Sequence, residues 1–167
     1  MKRQTRTRAA IATAAALVAA GTVTVGVSAA GPESKGGKPT KAQIAALFDG
    51  WNAALATGDA ETVADRYASD AVLLPTVSPE IRTTRAGIVD YFEHFLANKP
   101  QGKKIRTVVN VLDSNSAIDA GLYEFTLTDP GTGEKREVEA RYTYEYEKRG
   151  GKWLIVNHHS SVLPAAG

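Results

Sequence analysis

The chain has 167 residues, 43% of them apolar and 23% charged, the proportions of an ordinary single globular domain. It contains no cysteine, which excludes disulfides, thiolate metal ligands, cysteine-linked lipids and thiol catalysis. Its formal charge of +2 belongs to the N-terminus: without Lys2, Arg3, Arg6 and Arg8 the 20 basic residues fall to 16 against 18 acidic ones, a net of −2, so no basic face is left for a phosphate backbone and nucleic acid is not an expected partner.

Those four basic residues precede an uncharged, Ala/Val/Thr-rich run from Ala9 to Val27, which is followed by the small residues Ser28, Ala29 and Ala30. A basic start, an apolar middle and a small-residue end make an export signal. Residues 1–30 are therefore read as a signal peptide cleaved near Ala30, and the protein as exported, either secreted or held in the cell envelope. The alternative is an uncleaved anchor, nearly long enough for about 30 Å of hydrocarbon but weakened by Gly21, Gly26 and several threonines. No membrane contact is expected of the mature domain. Residues 31–39, with Pro32, Gly36 and Gly37, read as a flexible linker, residues 40–164 as the folded domain and residues 165–167 as a tail.

Thr40 and Gln43 form a capping box ahead of Ile44, Leu47, Phe48, Trp51 and Leu55, which recur at helical spacing until Gly58. Asp59 caps a second, shorter helix in which Val63 and Tyr67 share a face, and Ala71–Leu74 follows as a strand closed by Pro75. After a loop from Thr76 to Glu80, Thr84 caps a third helix with an apolar stripe of Ile88, Tyr91, Phe92, Phe95 and Leu96, ended by Asn98 and Pro100. From Lys103 onward the period becomes two, which predicts strands near 103–112, 116–128, 135–147 and 152–162, with turns at Pro130–Gly133 and Gly150–Gly151. Helices followed by hairpin-linked strands form an α+β pattern. A strongly twisted sheet with three helices on one face can curl into a cone whose open end holds a pocket.

Three segments carry a resemblance: Trp51–Asp59 at a helix end, Asp70–Ser78, and the terminal Gly151–Ser161 with its Gly-Lys-Trp-Leu-Ile-Val strand. Over residues 40–164 the chain resembles the NTF2-like superfamily. Within that superfamily it is most similar to bacterial proteins related to the association domain of calcium/calmodulin-dependent kinase II, including SnoaL-like and SgcJ/EcaC-type proteins. The resemblance implies three N-terminal helices on a curved, mainly antiparallel sheet, a homodimer or larger ring built across the outer sheet surface, and no kinase activity. The positions of the kinase domain's pocket arginines fall here at Tyr123, Tyr144 and Ser160, so carboxylate binding by that means does not carry over. No GxGxxG loop or redox cysteine pair is present, and no cofactor is expected.

Strand parity nominates the candidate site. Tyr142, Tyr144 and Tyr146 share a face with Val138 and Ala140, which should point inward, where Tyr142 and Tyr144 either stack on a ligand or simply fill the core. Asp119 and Tyr123 share the same parity on the preceding strand, so Asp119 is expected at the cavity's rim, as a proton shuttle with a raised pKa or as a solvated strand-edge carboxylate. His158 falls on the cavity face with Val156 and Ser160, whereas His159 and Asn157 face outward unless a bulge exchanges them. Adjacent strand residues cannot readily chelate one metal, and His94 lies off its helix stripe, so no metal site is expected. Ser160 and Ser161 lack a nucleophile elbow and read as structural. Arg141, set among glutamates, is either an exposed ion-pair or interface residue or an anchor for an anionic ligand. Trp51 is kept as a lining residue, with plain core packing as its alternative.

Three functions follow as expectations. The first is an exported homodimer that binds a small, partly apolar molecule in its cone. The second is a proton-transfer enzyme, such as an isomerase, cyclase or dehydratase, with Asp119 or His158 as base. The third is an assembly module that makes a large oligomer around a filled cone.

Overall fold

The computed structural model describes residues 37–164. The expected export signal, most of the linker and the three-residue tail lie outside them.

Helix α1 spans Lys41–Ala56. Thr40 accepts a hydrogen bond from the Gln43 amide while the Gln43 side chain accepts one from the Thr40 amide, so two of the four orphan amide donors at this helix start are satisfied. Its buried stripe is Ile44, Phe48, Trp51, Ala54 and Leu55. Gly58, at a φ of 72°, takes the left-handed turn that ends it. Asp59 then caps the short α2, Ala60–Ala64.

Strand β1 runs Tyr67–Leu74, four residues earlier than the sequence reading placed it. Tyr67 therefore leaves the helix that was expected to hold it and opens the strand. Its pairing slips in register between Tyr67 and Val72, and the exposed Ser69 and Asp70 interrupt the alternation that would have announced a strand. Helix α3, Arg85–Leu96, starts on Thr84 and buries Ile88, Tyr91, Phe92, Phe95 and Leu96. Four long strands complete the domain: β2 Gln101–Val111, β3 Ser116–Thr128, β4 Lys135–Arg149 and β5 Lys152–Val162.

The strand order is β1-β5-β4-β3-β2, with β1 parallel to β5 and every other pairing antiparallel, so the sheet is mixed. Helix α1 packs on β2 and β3, and α3 packs on β1 and α2. Between helices and sheet lies an aromatic layer in which Phe48 and Trp51 meet Tyr123, Tyr142, Tyr144 and Phe125. These rings bury the large apolar areas that dominate core energetics.

Two irregularities shape the sheet. Between Lys104 and Arg106 the β2 register shifts opposite Tyr123 and Leu122, and at the next position, Gly121, an added Cβ would stand 1.8 Å from the Arg106 carbonyl oxygen, so only glycine fits beside the bulge. On β5 the register shifts at Val156, between Ile155 and Asn157. Before the bulge it is Ile155 that is buried, and Val156 is only half-buried, whereas beyond it His158 and Ser160 remain inward and His159 is exposed.

Candidate functional site

One hollow opens between α1, α3 and the β3–β5 part of the sheet. Its walls are aromatic and aliphatic, including Trp51, Tyr91, Phe92, Phe95, Phe125 and Leu127, and the loop residues Pro75, Thr76 and Val77 edge it. It holds about 460 Å³ of non-atom space including its open mouth, but only about 30 Å³ in which a water-sized sphere can be centred. That interior matches on the order of two waters, so a ligand of many atoms enters only if the walls give way.

Two polar groups reach this hollow. The first is a hydroxyl cluster: Tyr123 donates to Ser160 Oγ at 2.5 Å, and Thr76 shares a hydrogen bond with the same oxygen. The second is the His158 imidazole, 4% exposed. Tyr144 stacks on it at 4.1 Å between ring centroids, and Trp51 stands edge-on to it at 5.4 Å. His158 Nδ1 lies 2.8 Å from the Tyr67 hydroxyl, which also receives the Trp51 indole N–H at 3.1 Å.

Hydrogen-bond satisfaction assigns the proton positions. An indole nitrogen can only donate, so the Tyr67 oxygen accepts from Trp51; His158 Nδ1 is the acceptor within reach of the Tyr67 O–H, and donation to it leaves the fewest buried groups unpaired. Nδ1 is then the acceptor, and the neutral ring carries its proton on Nε2. Burial, with a smaller contribution from the His159 charge, pulls the His158 pKa down to about 3, so the ring stays neutral through the physiological range. Nε2 is buried and has no protein partner among the described residues.

Four expected site residues, Trp51, Tyr123, His158 and Ser160, come together at the hollow. Tyr142 and Tyr144 do not line it. Tyr144 lies behind His158 as a stacking support, and Tyr142 turns its hydroxyl to Asp119 and Thr107, each 3.1 Å away. Asp119 is not at the rim either. It is 0% exposed and sits four residues along β3 from Tyr123, about 13 Å at a strand's ~3.3 Å per residue. Its Oδ2 has no protein partner among the described residues, and burial raises its pKa to about 6 against the opposing Tyr142 hydrogen bond. Arg141 is exposed on the other sheet face, opposite Leu122 and Ser161, and does not touch the hollow. Ser160 has hydroxyls and no base as its partners.

Tyr67 and Thr76 escaped the sequence reading. Tyr67 was assigned to a helix, and Thr76 to a plain connection. The available signal was Tyr67 itself, a large β-forming aromatic four residues ahead of the expected strand start at Ala71.

Helices on one face of a mixed five-stranded sheet, with a hollow between them, define an NTF2-like α+β domain. The chain belongs to the family of the calcium/calmodulin-dependent protein kinase II association domain, whose sequence profile matches residues 40–164. A Xanthomonas campestris structure described as such an association domain is 60% identical, with 74% of this chain and 88% of that one covered at a TM-score of 0.73. An NTF2-like superfamily protein of Salmonella enterica is 16% identical over 76% of this chain and 93% of its own, with a TM-score of 0.65. The association domain of the Caenorhabditis elegans kinase is 15% identical over 73% of this chain and 95% of its own, with a TM-score of 0.58. At such identities these last two show the fold alone. Among curated proteins none matches the chain.

Proposed function

We propose that the protein is an exported, self-associating binding domain that takes a small, partly apolar molecule into the hollow of an NTF2-like cone. The observation that carries this reading is the hollow's construction: aromatic walls with two inward polar groups, the Ser160 hydroxyl cluster and the His158 ring. An apolar cleft with a few convergent polar groups is how small-molecule sites are built. The N-terminal pattern of basic, apolar and small residues supports export.

The site lends little to a proton-transfer enzyme. Its two nominated bases fail for separate reasons: Asp119 is remote from the hollow, and His158, with a pKa near 3, is too weakly basic to accept a proton at neutral pH. Self-association has its own support. The family is that of an association domain, and the outer sheet face presents half-exposed Ile118, Ala120 and Leu122 beside Thr143 and Arg141. A second copy laid across that face would make the dimer.

Native mass spectrometry of the protein purified gently from its own host tests both halves together. A dimer with a reproducible extra mass that leaves at high activation is the expected result. A ligand-free larger oligomer would transfer the weight to an assembly role.

A further inference from the structure

The hollow offers its occupant a donor whose direction is set elsewhere. Trp51, Tyr67 and His158 form a one-way relay, indole N–H to phenol oxygen, phenol O–H to Nδ1, which leaves the Nε2 proton as the outgoing end. One face of the ring stacks on Tyr144, Trp51 abuts it, and Nδ1 is turned to Tyr67, which is not part of the wall. His158 lines the hollow, and its Nε2 is buried with no protein partner among the described residues, so an occupant meets that atom only where the wall gives way. No charged side chain lines the hollow among the described residues, so it contains no cation to neutralise a carboxylate. A buried anion without a partner is costly, whereas a neutral acceptor placed on a buried, unpaired N–H relieves a desolvation cost already present.

Resting on the binding role proposed above, we infer that the ligand is a neutral molecule that presents a carbonyl oxygen to His158 Nε2–H with its apolar body against Phe92, Phe95 and Phe125. Tyr67 is a positioning residue in this scheme: it never meets the ligand, but it holds the proton on Nε2. Without its hydroxyl, the proton is free to occupy Nδ1, and Nε2 becomes an acceptor.

The experiment combines tautomer spectroscopy with matched probes. In the full chain labelled with 15N-histidine, two-bond 1H–15N correlation spectra, with His158 assigned by its loss in His158→Phe, should show Nε2 protonated and Nδ1 bare. Binding is then followed by NMR shifts of cavity residues with cyclopentanone and acetophenone, each beside the alkene of the same shape, methylenecyclopentane and α-methylstyrene, and with benzoate. We expect each ketone to bind up to about tenfold tighter than its alkene, the worth of one good hydrogen bond, and benzoate not to bind. His158→Phe should erase the preference while keeping the alkenes. Tyr67→Phe should weaken it and raise the fraction of the other tautomer, a spectral change that a purely structural role would not produce. A His158 protonated on Nδ1 overturns the inference. So do ketones and alkenes that bind equally, a result that leaves the pocket reading intact. If neither class moves a cavity resonance, the inference and the pocket reading fall together. Should His158→Phe not fold, the wild-type tautomer and Tyr67→Phe still decide the matter.

Discussion

Asp119→Asn should change how the stability of the domain depends on pH. The Asp119 carboxyl is fully buried, accepts one hydrogen bond from Tyr142 and has a second oxygen with no protein partner among the described residues, and burial lifts its pKa from an ordinary 3.8 to about 6. A raised carboxyl pKa means that the folded state holds its proton more tightly than the unfolded chain does. The associated stability is present below about pH 4 and is lost as pH rises through the folded value. At ~1.4 kcal/mol per pH unit between the two values, the loss amounts to at most about 3 kcal/mol by pH 7. Asparagine keeps the acceptor for Tyr142 but cannot ionise, so the variant lacks this loss. Its amide protons need acceptors that the aspartate oxygen did not, which costs about 1–3 kcal/mol at every pH and leaves the slope untouched. Urea unfolding of both proteins from pH 4 to pH 7 isolates the effect, because the other carboxylates titrate alike in the two. The difference in unfolding free energy should shift in favour of the variant by up to about 3 kcal/mol across that interval. A difference that stays flat would mean that Asp119 is solvated in the folded protein, and would refute the burial argument.

Further outcomes follow from the same geometry. Gly121→Ala places a methyl group into the Arg106 carbonyl, which must move with its strand, so urea unfolding should register a loss of about 1–3 kcal/mol. Thr40→Ala removes the side-chain half of the capping box and should cost about 1 kcal/mol by the same measurement. Arg141→Ala, on the exposed face away from the hollow, should leave ligand retention in native mass spectrometry unchanged.

The helices were legible because their signals are local. Thr40, Asp59 and Thr84 cap the helices they precede, and the stripes from Ile44 to Leu55 and from Ile88 to Leu96 are the faces that the fold buries. The strands were legible wherever the alternation was clean. They were not legible at β1, where the register slip and the exposed Ser69–Asp70 pair mask the period and left Tyr67 misassigned. Parity placed His158 and Ser160 on the inner face, since the bulge lies before them at Val156, whereas it misjudged Val156 itself. Parity also fixes a face without fixing a position along it. Asp119 and Tyr142 therefore share the expected layer but lie further along it than the hollow, and Arg141 stands exposed on the outer face, the position of its ion-pair or interface reading rather than of the anchor. The relay through Tyr67 joins residues 51, 67 and 158, and no local pattern announces a contact across 91 positions.

The parallel pairing of β1 with β5 constrains the order of events when the chain folds. The first strand made must wait for the last, because among the described residues β1 has β5 as its only neighbour in the sheet, and Tyr67 has its imidazole partner on that same strand. Such a high-separation contact is slow to form and carries a large loop-closure cost. A chain lacking residues 152–162 can still pack α1 on β2 and β3, but it leaves β1 without a strand to pair with among the described residues. The edge strand β1, and with it the Tyr67–His158 contact, is therefore expected among the last parts of the sheet to form.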